Sequence, residues 1–123
     1  MHRTLIVARM NRADAPNVAG IFADSDGSDL PAMIGVHRRT LLAFHGLYFH
    51  LVESEKDITQ DLYKVRGHPL YRDIHTRLYR YISPFDPDWK EPRDAMAVPF
   101  YSWTPHQGPL ITPVTGPSLG GTP

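Results

Sequence analysis

Residues 35–53 read GVHRRTLLAFHGLYFHLVE. Two runs rich in β-branched, leucine and aromatic residues flank the dipeptide His45-Gly46, a pattern that predicts a β-hairpin with a two-residue loop. We expect Phe44 to pair with Leu47 across that loop. The hairpin is the strongest local signal in the chain, and it supplies the frame for the other predictions.

The expected register decides which side chains share a face of the hairpin, because successive strand residues point to opposite faces. It places Leu41 opposite His50. One face then carries Arg39, Leu41, Ala43, Tyr48, His50 and Val52. A permanent cation and an imidazole among apolar side chains are more typical of a polar-lined cavity than of an exposed hairpin surface.

Composition excludes several classes of protein. The chain has 123 residues, which fits one domain, and its formal net charge is zero, so no electrostatic case exists for nucleic acid or an anionic membrane. It has no cysteine, which excludes disulfides and thiolate ligands. No apolar run is long enough for a spanning helix, and the N-terminal run is too short for a secretory signal. We therefore expect a cytoplasmic protein.

Motif searches add further exclusions. The seven histidines form no helical HxxxH or HExxH pair, so no metal site is expected. The phosphate-binding GxGxxG and GxxxxGK[ST] motifs and the GxSxG nucleophile elbow are absent from the sequence as well.

The first third of the chain predicts a strand, a helix and a loop. Residues 4–10, TLIVARM, are almost continuously apolar and predict a strand buried on both faces. Asp14 is a candidate N-cap for a helix that reaches about Ser25. The apolar stripe of that helix ends on Ser25 and Asp26. Residues 27–33 are expected to form a loop that leads into the hairpin.

The second half predicts two helices and a last strand. Asp57 is expected to cap one helix, Gly67 to end it, and His68-Pro69 to start another. Residues 83–94, with three prolines, are expected to be a loop. Residues 96–104, MAVPFYSWT, predict a final strand, and Pro99 within it argues for an edge position.

The predicted order is β-α-β-β-α-β, the α+β ferredoxin-like pattern, with an antiparallel four-stranded sheet in the order 4-1-3-2 and helices on one face. We assign residues 1–104 to this domain. Residues 105–123 are rich in Pro, Gly, Ser and Thr and are expected to be a disordered tail. The uncovered sheet face predicts a homodimer of the dimeric α/β-barrel type.

Three residues are candidates for catalysis. Arg39 is either an exposed hairpin arginine or a fixed cation that stabilises an enolate, phenolate or carbonyl oxygen. His50 is either structural or a general acid or base, because imidazole titrates near neutrality. Asp26 is either an ordinary residue at a helix end or a functional group that acts as a base or orients His50. The ordinary role is less favoured because aspartate is electrostatically unfavourable at a helix C-terminus.

Other side chains are candidates for contact with a flat ligand. These residues are Phe22, Ser25, Tyr48, Tyr63 and Trp103. Ser25 would contribute a hydroxyl hydrogen bond, and the aromatic residues would line the cavity.

Five segments run together from about Arg3 to Trp103: LIVARM, FADSDGSDLP, GVHRRTLLAFHGLYFHLVE, LYKVRGHPLY and FYSWT. With these segments the chain resembles the polyketide synthesis cyclase family. They are specific in combination, and the tail from Pro105 lies outside them. The proposed polar residues of the family correspond here to Asp26, Arg39 and His50, whereas its typical enzyme has a histidine at the position of Ser25.

The resemblance implies a homodimeric enzyme without a cofactor that cyclises and dehydrates a poly-β-ketone intermediate by intramolecular aldol chemistry. The implied partners are an aromatic polyketide intermediate and, transiently, components of a type II polyketide synthase. In this hypothesis His50 moves protons, Arg39 stabilises the enolate or alkoxide, and Asp26 orients or assists them.

Two alternatives stay open at this point. One is a cofactor-independent monooxygenase that acts on a phenolic polyketide, since a fold does not fix a function. The other is a non-catalytic subunit that binds and shields a polyketide intermediate.

Overall fold

A four-stranded antiparallel sheet carries four helices on one face in the computed structural model, which describes residues 1–114. A separate two-stranded hairpin follows the sheet domain. In chain order the elements are β1 (His2–Met10), α1 (Ala15–Asp26), α2 (Leu30–Ile34), β2 (Val36–Phe44), β3 (Leu47–Ser54), α3 (Thr59–Val65), α4 (Pro69–Leu78), β4 (Ile82–Pro84), β5 (Tyr101–Thr104) and β6 (Gly108–Ile111).

The predicted hairpin register is confirmed. Strands β2 and β3 are antiparallel, with Phe44 opposite Leu47 and Leu41 opposite His50. His45 occupies the turn with a φ of 53°, a left-handed conformation that a non-glycine residue adopts at some cost. Side chains of β3 alternate in exposure, and Tyr48, His50 and Val52 are buried on the helix side. The cavity face predicted from periodicity is therefore the face that the helices cover.

Strand β1 lies in the middle of the sheet, between β3 and β4. Its helix-facing residues Thr4, Ala8 and Met10 are buried. Leu5 and Val7 point to the opposite face and are half-buried in the single chain. Ile6, which faces the helices, is half-buried as well, so the expectation of burial on both faces is met only in part.

Helix α1 supplies the largest share of the helix-side core. Val18, Ile21 and Phe22 are its buried residues, as the periodicity predicted. Asp14 does precede the helix, but its side chain makes no capping hydrogen bond. The side chain of Asn11 caps instead, accepting from the backbone N–H of Ala13 at 2.9 Å in the 3₁₀ turn that leads into α1.

The two predicted helices of the second half are confirmed. Asp57 Oδ1 accepts a hydrogen bond from the backbone N–H of Thr59, the first residue of α3. His68 caps α4, with Nδ1 accepting from the N–H of Leu70 at 3.1 Å, and Pro69 opens the helix. Ile58, and not Asp57, is the N-cap residue of α3, and the helix ends at Val65, before the expected Gly67.

Two predicted segments differ from the structure. The loop expected at residues 27–33 contains the start of α2, where Pro31 occupies the first turn and suits helical φ. The predicted final strand, residues 96–104, does not form the fourth sheet strand. That position belongs to β4, which pairs with Ala8–Met10 of β1. The last two residues of β4 lie in the segment 83–94 that was expected to be a loop.

Residues 96–104 divide between two environments. Met96 makes one isolated antiparallel bridge to Ile6, and the Ala97 N–H donates to the Leu5 carbonyl at 2.8 Å. Pro99 has no N–H to donate, so the pairing with β1 cannot continue through it. The chain then leaves the sheet and forms β5, which pairs with β6.

Strand β6 corrects the expected tail. Residues 108–111 are ordered as a strand, so the prediction of disorder from residue 105 is wrong for this part. The remainder of that prediction, residues 115–123, lies outside the described residues. In residues 1–114 no helix has the length and apolar character needed to cross a membrane.

Truncation of a core residue should destabilise the protein far more than truncation of a matched exposed residue. Ile58 is 3% exposed under α3, and Ile111 is 78% exposed on β6. Ile58→Ala should lower the free energy of unfolding by roughly 2–5 kcal/mol, and Ile111→Ala by less than about 0.5 kcal/mol. Urea denaturation of both variants and the native protein measures the difference. Equal losses would contradict the assignment of the core.

Candidate active site

A cavity of about 840 Å³ lies between the helix-covered face of the sheet and the helices. Its volume falls in the range of sites that hold small organic ligands. Apolar side chains from several elements form most of its wall: Ala8, Phe22, Leu30, Ile34, Leu62 and Ile74. The charged and titratable groups that line it from the sheet come from β2 and β3.

Arg39 is the centre of the polar group. Its Nε lies 3.1 and 3.2 Å from the two carboxylate oxygens of Asp26, and its Nη2 lies 2.8 Å from Oδ1. Its Nη1 lies 2.8 Å from Nε2 of His50. The guanidinium therefore joins the C-terminal end of α1 to the middle of β3. Paired donation to one carboxylate is a strong and directional form of ion pair.

The guanidinium keeps donors for a ligand. It has five N–H groups, of which the contacts with Asp26 and His50 occupy three. The carbon of the guanidinium lies 4.8 Å from the centroid of the Phe22 ring, so a cation–π contact fixes its plane. The Arg39 side chain is 14% exposed and lines the cavity. Two of its N–H groups therefore have no partner in residues 1–114 and are available to a ligand oxygen.

His50 is held in its neutral form. Burial lowers its pKa, the neighbouring Arg39 charge lowers it further, and the resulting pKa is about 3. Because arginine is always a donor, Nε2 of His50 must be the acceptor in their hydrogen bond, which leaves the proton on Nδ1. The sequence led us to expect an imidazole that titrates near neutrality, and the structure differs because burial could not be seen in the sequence.

Tyr48 is also kept neutral. Burial raises the pKa of its phenol well above the ordinary value, and the Arg39 charge only partly opposes this effect. The ring lies 6.2 Å from the His50 ring, centroid to centroid, and lines the cavity. At neutral pH the phenol can therefore act as a hydrogen-bond donor.

The residues predicted from the sequence divide into two groups. Arg39, His50 and Asp26 are joined by hydrogen bonds, and three predicted ligand contacts line the same cavity: Phe22, Ser25 and Tyr48. Tyr63 does not line the cavity. Its hydroxyl donates a hydrogen bond to the carboxylate of Glu91, and Glu91 does line the cavity. Trp103 is 58% exposed on β5, outside the cavity. That prediction is wrong because residues 96–104 do not form the fourth sheet strand.

The sequence analysis missed the outer part of the cavity. Helix α4 and the segment after β4 contribute Tyr71, Arg72, His75, Trp89 and Lys90. Tyr71 and His75 stack with ring centroids 6.0 Å apart, and their i, i+4 spacing is the one signal that could have marked this side of α4. Within residues 1–114, no group of three or more His, Asp or Glu side chains is arranged to hold a metal ion.

The chain is similar to a family of known proteins and to individual relatives in Streptomyces. Residues 2–104 match the sequence profile of a family described as polyketide synthesis cyclase. Tetracenomycin F2 cyclase from Streptomyces glaucescens is 48% identical over 103 residues, which cover 84% of this chain and 94% of that protein. A protein named polyketide synthase CurG, from Streptomyces cyaneus, is 44% identical over 104 residues, with 84% and 97% covered.

A solved structure agrees with these sequence matches. The structure of tetracenomycin F2 cyclase from Streptomyces glaucescens, described as a type II polyketide cyclase, superposes with a TM-score of 0.80 at 47% identity. The match covers 85% of this chain and 98% of that one.

The buried neutral imidazole predicts how stability depends on pH. Above pH 6.5, His50 is neutral in both the folded and the unfolded chain. Between about 6.5 and 3 the unfolded chain binds a proton there and the folded chain does not, so stability falls as the pH falls. The slope from this group approaches about 1.4 kcal/mol per pH unit. His50→Gln should therefore lose less stability than the native protein between pH 6.5 and 4.

Urea denaturation at several pH values measures this slope. His37→Gln is the matched control, because His37 is exposed on β2, and its slope should equal that of the native protein. Identical slopes for His50→Gln and the native protein would show that His50 is not kept neutral.

Proposed function

The chain belongs to the polyketide synthesis cyclase family, and on that premise we propose that it is an aromatic polyketide cyclase of type II polyketide biosynthesis. In this proposal it catalyses the intramolecular aldol cyclisation and dehydration of a poly-β-ketone intermediate. The observation that carries the proposal is the hydrogen-bonded group Asp26–Arg39–His50 at the inner end of an apolar cavity.

The chemistry makes two demands that this cavity meets. A methylene between two carbonyl groups is already acidic, so its deprotonation needs only moderate help. The larger demand is to hold a flexible chain so that one carbon meets one carbonyl, and positioning contributes roughly 7–11 kcal/mol in favourable cases. Apolar walls that include Phe22 and Tyr48 would fold the chain, and Ser25 adds a hydroxyl at the end of α1.

We assign the stabilisation of negative charge to Arg39. As the methylene loses a proton, charge develops on the adjacent carbonyl oxygen, and the two remaining N–H groups of the guanidinium can donate to it. Asp26 fixes the guanidinium through paired hydrogen bonds and does not line the cavity. Asp26 is therefore a positioning residue in this proposal. A preorganised donor of this kind lowers the barrier because it needs no reorientation during the reaction.

Proton transfer by His50 depends on the presence of substrate. In the empty site, Arg39 occupies the Nε2 lone pair. In this proposal, the substrate oxygen that accepts from the remaining N–H groups draws the guanidinium toward itself and breaks the Nη1···Nε2 hydrogen bond, so the lone pair becomes free to accept the methylene proton. Burial and the charge of Arg39 lower the pKa of His50 in the empty site. The negative enolate formed beside the imidazole opposes the effect of the Arg39 charge and so favours the protonated imidazole. His50 then returns the proton to the alkoxide produced by carbon–carbon bond formation, and dehydration completes the reaction.

The alternatives from the sequence make different products. A monooxygenase would add oxygen to a phenolic polyketide, and a shielding subunit would bind an intermediate without changing it. No cofactor is assigned in the proposed reaction. Contact with components of the synthase stays a prediction.

A product assay separates these functions. The purified protein is mixed with a freshly generated poly-β-ketone, and the product mass and oxygen consumption are followed. The proposal predicts loss of one water and a faster rate than without protein. Gain of oxygen would favour the monooxygenase, and binding without acceleration would favour the shielding subunit.

Substitutions at neighbouring arginines test the role of Arg39. Arg39→Gln should reduce the cyclisation rate about 10²–10³-fold, because it removes the donor to the developing oxyanion. Arg38→Gln is the matched control, since Arg38 points to the opposite face and contacts Glu53. Its rate should stay within about twofold of native. Equal rates for both variants, with folding verified by circular dichroism, would contradict the assignment.

We also propose that the protein is a homodimer formed through the open face of the sheet. The side chains on that face are mainly apolar and partly exposed: Leu5, Val7, Leu42, Phe44, Leu47, Phe49 and Leu51. Leu42 and Phe44 are 47% and 58% exposed in the single chain. An apolar face of this extent is typical of an interface.

A charge placed on this face should dissociate the dimer. Leu42→Asp should run as a monomer in size-exclusion chromatography with light scattering, because dimerisation would bury the new carboxylate. Ala19→Asp, on the exposed side of α1, should stay dimeric. A native protein that is monomeric at micromolar concentration would refute this interface.

A further inference from the structure

The outer end of the cavity is lined by cations that form no ion pair with an acidic side chain in residues 1–114. Arg66 follows α3, Arg72 lies on α4, and Lys90 lies in the segment after β4. All three are exposed, in contrast to the buried Tyr48 and His50 at the inner end. We call Arg66, Arg72 and Lys90 the cationic mouth. Within residues 1–114, the ion pairs formed by the chain involve none of them.

The acidic groups nearby are engaged elsewhere. Glu91 also lines the cavity, but its carboxylate accepts a hydrogen bond from the hydroxyl of Tyr63. Asp94 accepts from the backbone N–H groups of Lys90 and Glu91. Asp73 pairs with Arg77. These carboxylates reduce the positive charge of the mouth without removing it, because three cations face one carboxylate in the cavity wall.

This arrangement is unusual for a chain whose formal net charge is zero. At the inner end, the charge of Arg39 is already matched by Asp26. Unmatched positive charge is therefore concentrated at the opening of an apolar cavity. Cations along a cleft with low-dielectric walls attract anions more strongly than the same cations spread over a surface.

Aromatic rings stand beside these cations. The Arg66 guanidinium lies 5.2 Å from the centroid of the Tyr63 ring, which holds it near the mouth. Tyr71 and Trp89 line the same part of the cavity. A ligand that fits this end has an apolar or aromatic body and an anionic terminus.

We propose that the cationic mouth is an anion-binding subsite for a carboxylate or phosphate group at the end of the substrate that does not react. This inference rests on the proposed function and deepens it, because it fixes the direction in which the chain enters. With the anion held at the mouth, the distance along the chain decides which carbonyl reaches Arg39. The mouth would then help to select the ring that closes.

The two sources of an anion can be distinguished with aromatic probes. Anthracene-2-carboxylate represents a free acid terminus, anthracen-2-ylmethyl methyl phosphate represents a phosphodiester-linked carrier arm with the same single negative charge, and anthracene-2-carboxamide is the neutral control. Fluorescence titration measures the dissociation constant of each. We expect at least one anion to bind the native protein about tenfold more tightly than the amide, because a charged hydrogen bond is stronger than a neutral one.

Matched variants locate the effect. Arg72→Gln/Lys90→Gln should reduce the preference for the anion to about twofold or less while the amide binds as before. Arg12→Gln/Lys64→Gln removes the same charge from exposed positions outside the cavity wall and should keep the preference. Arg66→Gln provides a second test if the double variant fails to fold.

Each outcome has a defined meaning. Tighter binding of the phosphate than of the carboxylate identifies a carrier arm as the source, and the reverse identifies a free acid. Equal binding of the anions and the amide, or a preference that survives the mouth substitutions, overturns the subsite. The proposed function is tested separately by the product assay. If the protein prefers anions but does not cyclise the poly-β-ketone, the subsite is supported and the cyclase function is contradicted.

Discussion

The bridge from Asp26 through Arg39 to His50 is the interaction on which the site depends. It ties the last residue of α1 to two strands of the sheet, with heavy-atom distances of 2.8 Å on both sides of the guanidinium. Loss of Arg39 would leave a buried imidazole and a carboxylate at a helix C-terminus without their partner, both of which are unfavourable. The same bridge balances the charge of the cation and leaves two of its N–H groups without a partner in residues 1–114.

Charge along the cavity follows from this bridge. The carboxylate of Asp26 balances the positive charge of Arg39, so the inner end of the cavity has little net charge. Arg39 stabilises an enolate there through directed hydrogen bonds rather than through an excess of positive charge. The cationic mouth lies at the other end, among aromatic rings. The ketone groups of the substrate would make few polar contacts along most of the cavity, and its anionic terminus would be attracted to the cations at the opening. Shape would then set the curvature of the chain, and charge would set its direction.

The sequence predicted the parts of this arrangement that depend on local order. Strand alternation is a property of the backbone, so Arg39 and His50 could be placed on one face, and the helix stripe placed Asp26 near them. The fourth strand could not be predicted, because the choice between Ile82–Pro84 and residues 96–104 depends on long-range pairing with β1. Trp103 was misplaced for the same reason. The neutral state of His50 depends on burial by distant residues, which no local pattern shows.

The central claim is that Arg39 stabilises an enolate in the cavity, and it is tested most directly by the acidity of a bound 1,3-diketone. An aromatic 1,3-diketone that binds the protein is titrated by ultraviolet absorbance, which reports its enolate. The account predicts that the pKa of the diketone falls by about one unit or more on binding to the native protein and does not fall with Arg39→Gln. An unchanged pKa in the native complex, or an equal decrease with Arg39→Gln, would contradict it.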